Sequence, residues 1–324
     1  MMMIARLDTL VCTLADPEAP AATVPAELVD PLLQLARDHN VLPVVTRKLA
    51  PQHSTAALRE AQGELTLLVG LSMHLRGIAA KVDRHIAENG LEAVIVKGPV
   101  FARQIYPAPS DRPFTDIDIM VAPSARAPIG DLLTGLGYRL FLKPLLDHTE
   151  QNQEEKWIQP DMDALLIEVH GNLVHYQGLR RRISFGYAEF MASGRGDASA
   201  GLPQFFVAVV HAALGHKFHQ LRLLVDVLQA WRHLSPDEVA LLPEMARRLG
   251  LGLEARLCLE LIAELFDAPA AHAAGGRIDG GSASGFATRL VDGAAVLAAP
   301  TAFFSKVRRH TFRGLQRIVP RGAG

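Results

Sequence analysis

The sequence predicts an α+β chain, a small strand-bearing unit enclosed by helical regions. Three observations carry that expectation. Apolar residues recur every three or four positions before Gly90 and again after Pro203, which is the period of a helix with one buried face. Between these regions lie short β-branched runs, one of which alternates acid and apolar residues with period two. Candidate strands and helices then follow one another closely, as in a small α/β or α+β unit.

Taken in order, the spacing predicts helix from Pro25 to Asn89. Leu28, Leu32, Leu35 and Ala36 form a first stripe. Leu58, Leu65, Leu68, Leu71, Leu75, Ile78, Val82 and Ile86 form a second, within Thr55 to Glu88. Asn89-Gly90 ends it with residues that accept a left-handed backbone. Candidate strands are Ala93–Val96, Phe114–Val121, Tyr138–Leu142 and Leu165–His170, with a helix from Ala125 to Leu136 that stops at Gly137. Ala108–Pro113 and Leu146–Pro160 read as loops. The chain turns helical again over Phe205–Leu234, Pro236–Leu249 and Leu253–Phe266. Ala270–Ser284, rich in Ala and Gly, reads as a mobile linker, and Phe286–Val319 is mixed apolar and basic. The expected organisation is a helical platform over residues 1–90, a core over 91–175 and a C-terminal helical region over 176–324, with the linker near 270–284.

Composition narrows the function. The chain has 324 residues, enough for two compact units, and 49% hydrophobic against 21% charged residues indicate a packed core. With only 6% aromatics, that core must be mostly Leu, Val, Ile and Ala. Lys plus Arg total 33 and Asp plus Glu 34, a net charge of −1 that argues against a general duplex-wrapping role. Two cysteines, Cys12 and Cys258, make neither a disulfide framework nor a four-thiolate zinc site. Arg6 and Asp8 interrupt the apolar start, and no window has the ~20 uninterrupted apolar residues of a membrane span. A soluble, cytoplasmic protein is expected.

The chemistry concentrates in Thr115-Asp116-Ile117-Asp118-Ile119. On a strand, Asp116 and Asp118 project from one face, and two crowded carboxylates call for a cation such as Mg²⁺ or Mn²⁺. Glu168 stands in the apolar run LLIEVH. On a neighbouring strand it would complete a two-metal site able to activate a hydroxyl and neutralise a triphosphate. Lys97-Gly98 ends a strand before a short helix, a turn suited to phosphate. Arg112, four residues before Asp116, is placed to meet a triphosphate tail.

The block KGPVFARQIYP…DRPFTDIDIMV resembles the uncharacterised nucleotidyltransferase family of the polymerase-β-like superfamily. The likeness extends through Leu136-Gly137-Tyr138, Ile167-Glu168-Val169-His170, Leu221-Arg222 and Asp226, over roughly residues 25–235. It implies a small mixed-sheet nucleotidyltransferase core with helical flanks. It further implies metal-dependent transfer of a nucleoside monophosphate from a nucleoside triphosphate to an acceptor hydroxyl on a small molecule, a protein or RNA. Asp116 and Asp118 would hold Mg²⁺ or Mn²⁺, with Glu168 as the third acid. Lys97, Gly98, Arg112, Thr115 and His170 would line the nucleotide. The sequence departs from the family at Pro99, where the superfamily has Ser or Gly, and at Gly171, where relatives often have Trp. Two alternatives accompany this expectation: a toxin-like enzyme acting on RNA, which the near-neutral charge disfavours, and a non-catalytic nucleotide-binding or scaffold protein. The acceptor, the preferred triphosphate and the oligomeric state are not specified by the sequence.

Three further features are weighed. His211, His216 and His219 invite a zinc reading but lack helical spacing to a full ligand set. Asp226, four residues after Arg222, is expected to form an i,i+4 ion pair with it rather than act as a base. Lys306, Arg308, Arg309, Arg313, Arg317 and Arg321, interleaved with Phe303, Phe304, Val307, Phe312, Leu315 and Ile318, suggest a last helix that docks its apolar stripe and solvates its charges.

Overall fold

A computed structural model of the chain describes residues 2–141, 154–160, 162–180, 182–299 and 301–321. Helices α1 (Met2–Ala15), α2 (Val29–Asp38), α3 (Leu42–Leu49) and α4 (Ala56–Glu88) come first. Thr55 caps α4 by accepting the Leu58 amide at 3.2 Å, and Gly90 at φ +58° follows its end. By length and composition α4 is able to cross a membrane; in this fold its Leu75, Ala79, Val82 and Ile86 face is buried under a sheet.

That sheet has five strands: β1 (Ala93–Val96), β2 (Asp116–Val121), β3 (Arg139–Leu140), β4 (Glu154–Gln159) and β5 (Met162–His170). Their order is β1-β2-β5-β4-β3. β2 and β5 run parallel and the other neighbours antiparallel, so the sheet is mixed and the α+β expectation holds. Helices α5 (Gly98–Gln104) and α6 (Arg126–Gly135) connect its strands. Alternation sorts the two faces. Ile117, Ile119, Val121, Ile167 and Val169 pack with α4 and with Ile129 and Leu133 of α6. The opposite face carries Asp116, Asp118, Glu168 and His170. A one-residue slip in register would exchange the faces, so this apolar core also orients the acids.

The remaining helices are α7 (Gln177–Arg180), α8 (Tyr187–Ser193), α9 (Gly201–Val209), α10 (Leu221–Arg232), α11 (Pro236–Arg248), α12 (Gly252–Phe266), α13 (Pro269–Arg277), α14 (Ser284–Leu290), α15 (Gly293–Leu297) and α16 (Phe303–Ile318). Ser235 opens α11 with a capping box: its Oγ accepts the Glu238 amide, and Glu238 accepts the Ser235 amide at 2.9 Å. Buried residues of α1–α3 and α9–α12 form one continuous apolar cluster that also takes in Val96, Phe101, Tyr106 and Met120.

Four expectations are corrected. Residues 154–159, expected in a loop, form β4; its EEKWIQ sequence hides the strand because only Trp157 and Ile158 are apolar and buried. The rest of that loop, residues 146–153, lies outside the described residues, as does Leu142 of the strand that β3 replaces. The expected helix over Phe205–Leu234 is broken. A π-helical segment, Val210–Gly215, follows α9, and Lys217 and Phe218 take φ of +52° and +58° before α10. The Ala/Gly-rich stretch near 270–284 is no loose linker over its first half. It forms α13, whose Ala271, Ala274 and Gly275 are buried, small side chains allowing close approach to Leu259 of α12.

α16 departs from its expected docking as well. Phe312 is buried, but Phe303, Phe304, Val307 and Ile318 are exposed. Phe312 and Leu315 pack on the core, and polar groups hold the rest. Arg309 donates to the Ala295 carbonyl at 3.1 Å, and Gln316 and Arg321 converge on the buried Glu254 carboxylate at 2.7–2.9 Å. Long basic side chains can bury their stems and bond through their heads, so hydropathy alone misplaces such a helix.

Candidate active site

Asp118 and Glu168 are register partners on the parallel pair β2 and β5, and Asp116 precedes Asp118 by two residues on the same face. The three acids expected to converge therefore share one face of adjacent strands. Among the described residues, ligand atoms of Asp118, Glu168 and His170 all lie within 4.8 Å of one another, and so do those of Glu154, His170 and His175.

Asp118 is 1% exposed. Burial alone would raise its carboxyl, but Lys97 Nζ at 2.8 Å and His170 Nε2 at 3.0 Å prevail and hold it well below the carboxylate range. Asp118 in turn raises Lys97 against the opposing effect of burial. Asp116 goes the other way: burial and the neighbouring Asp118 charge raise it from its ordinary 3.8, with Lys97 opposing. Two carboxylates of opposite tendency on one strand form a differentiated pair. Glu168 accepts Lys156 Nζ at 2.8 Å and lies 3.6 Å from His170 Nε2.

Backbone geometry brings Lys97 in. It ends β1 at φ +51° and caps α5, with its carbonyl accepting the Val100 amide at 2.7 Å. Gly98 follows at φ +30°, where a Cβ would meet the Asp116 carbonyl oxygen at 3.0 Å. Pro99 fits the first turn of α5, where its missing N–H costs nothing. Gly98→Ala is expected to lose about 1–2 kcal/mol through the left-handed backbone, read as a lower urea midpoint, and to displace the β2 entry.

The segment before β2 is pinned at three points. Arg47 of α3 makes a bidentate pair with Asp111 at 2.8 and 2.9 Å. Ser72 of α4 both donates to the Phe114 carbonyl and accepts its amide at 2.8 Å. Arg112 sends Nε and Nη2 to the two oxygens of Asp226, each at 2.9 Å, while Tyr106 donates to Asp226 Oδ1 at 2.7 Å. Two expectations change here. Asp226 pairs with Arg112 and not with Arg222, because α10 turns its carboxylate inward. Arg112 in turn is committed to Asp226 and is not the free cation expected for a triphosphate. Thr115 is exposed and lines, with Asp116, Arg37, Arg112 and Arg222, a cavity of about 440 Å³.

His211, His216 and His219 assemble without forming a metal group among the described residues. His211 meets His216 edge-to-face at 4.6 Å, and His219 lies 5.1 Å further. Burial and the charge on Lys97 push His211 well below 6.5, and burial lowers His216 to about 4, so both are neutral at pH 7. The π-helical turn presents His211 toward Lys97; such turns recur at functional sites. Sequence reasoning missed Glu154 and Lys156, which join the site through β4, and His175, which follows β5 and meets Glu154. The one available signal was the i,i+2 spacing of Glu154 and Lys156.

The profile of the uncharacterised nucleotidyltransferase family matches residues 25–267. The chain belongs to this family. No curated protein and no solved structure matches it. Membership carries a general nucleotidyl-transfer role, and the family match spans the acids of the site together with their pinning residues from Arg47 to Asp226. Helices α13 to α16 lie beyond it.

Proposed function

We propose that the chain transfers a nucleoside monophosphate from a nucleoside triphosphate to an acceptor hydroxyl, with pyrophosphate leaving. The observation that carries this reading is the register pairing of Asp118 with Glu168, with Asp116 on the same face, beside a Lys97-Gly98 turn that opens a helix. Three carboxylates on one face of adjacent strands suit a hard divalent cation, so Asp116, Asp118 and Glu168 would hold Mg²⁺ or Mn²⁺. Bound there, the ion would neutralise the triphosphate and make the acceptor hydroxyl more acidic.

The chain's own groups do the rest. Lys97 and His170 keep Asp118 ionised, and Lys156 fixes the Glu168 carboxylate, which receives the acceptor's proton. With Arg112 committed, Arg222 is the cation placed for phosphate. It lines the cavity beside Asp116, and its Nε has no hydrogen-bond partner among the described residues. Nucleotidyl transfer needs mostly such positioning and charge balance.

Binding of each labelled triphosphate, with and without Mg²⁺ or Mn²⁺, tests the reading. Nucleotide binding should require the cation and weaken about 10–100-fold in Glu168→Gln. Equal binding in the variant, or without divalent cation, contradicts it. Incubation with a cell extract then identifies the labelled acceptor. An RNA acceptor would show a steep loss of affinity with salt.

A further inference from the structure

We propose that Glu154, His170 and His175 form a second metal site, suited to a borderline transition-metal ion such as Zn²⁺ and separate from the paired aspartates. Glu154 and His170 are register partners across β4 and β5. His175 follows β5 and sets its ring edge-to-face on His170 at 5.3 Å, with its Nδ1 2.7 Å from Glu154 Oε2. Ligand atoms of all three fall within 4.8 Å of one another.

The decisive atom is His170 Nδ1. The side chain is 0% exposed, its Nε2 faces Asp118 at 3.0 Å, and Nδ1 has no hydrogen-bond partner among the described residues. A buried ring nitrogen left unsatisfied is unfavourable, and an ion at Nδ1 would satisfy it. Metal-binding histidines almost always donate their other ring N–H to a carboxylate, backbone carbonyl or water, and Asp118 already stands there. Two imidazoles and one carboxylate suit Zn²⁺ and leave a position open, whereas Mg²⁺ prefers an all-oxygen set. Lys156 does not block the site, because it holds Glu154 Oε1 at 3.1 Å while Oε2 faces His175. The His175 side chain is 41% exposed, which opens the site to solvent. An ion there would also fix the His170 proton on Nε2, aimed at Asp118.

Co²⁺ is the probe. Full-length protein stripped with a chelator is titrated with Co²⁺ and followed by visible absorption, then competed with Zn²⁺. Wild type should show a Co²⁺ visible band that Zn²⁺ abolishes. His175→Ala and Glu154→Gln should each weaken that binding at least about tenfold, with the urea midpoint of the metal-free protein unchanged. Asp116→Asn should keep the band, which separates this site from the one proposed for nucleotide. Absence of a band in wild type overturns the proposal, and so does a band that survives in His175→Ala but disappears in Asp116→Asn.

Discussion

Asp226→Ala is expected to destabilise the fold by about 3–5 kcal/mol, the range for removing one partner of a buried ion pair. Asp226 is 0% exposed and accepts Arg112 through both oxygens and Tyr106 through one. Without it, the Arg112 guanidinium stays buried with no counter-charge and Arg222 close by. Urea unfolding gives the magnitude. A charge-free exchange, Arg112→Met with Asp226→Leu, should recover part of the loss, because replacing both partners removes the stranded charge. A midpoint unchanged in Asp226→Ala would show that the pair is dispensable. The pH dependence follows from the sign of the shift. The Asp226 carboxyl is held below its ordinary 3.8 because Arg112 and Tyr106 outweigh its burial. Its stabilisation is therefore complete above pH 3.8 and lost as pH falls through the lower folded-state value. Asp226→Asn should accordingly flatten the acid limb of the stability curve.

Asp116→Asn is expected to reduce nucleotidyl transfer by about 10²–10³-fold, equivalent to the several kcal/mol of charge stabilisation a metal-holding carboxylate supplies. Its stability should move the opposite way. Burial and the Asp118 charge raise the Asp116 carboxyl, so the folded state binds the proton more tightly than the unfolded chain. That makes the ionised group unfavourable for folding once pH rises through its folded-state value. The neutral amide removes this penalty, so the urea midpoint at pH 7 should hold or increase while activity collapses. Loss of both together would mark Asp116 as structural. Asp118→Asn should behave differently, because it strands Lys97 and loses stability along with activity.

The parts of the site that could be read from the residues are those carried by a single strand. Period-two alternation in TDIDIMV placed both aspartates on one face, and the apolar LLIEVH run flagged Glu168 as an acid in need of a partner. Cross-strand relations were not legible in the same way. β4 escaped notice because a strand whose site-facing positions are Glu154 and Lys156 has no hydrophobic alternation to reveal it. Asp226 suggested a local i,i+4 pair because spacing reports only neighbours on the same helix. Its true partner, Arg112, is 114 residues away.

By itself, then, the sequence determined the α+β class, the helical flanks, the acidic strand and the family. Local periodicity and short motifs specify these, since backbone geometry ties i to i+2 or i+4 wherever the segment ends up. Tertiary structure decided which charges are committed and which remain available. Arg112 went to Asp226, Lys97 to Asp118 and Lys156 to Glu168, while His170 Nδ1 has no hydrogen-bond partner among the described residues. The physical reason is that ion pairing in a desolvated interior depends on distance in space and on which face each segment buries. Both are settled only when the sheet register and the helices around it close together.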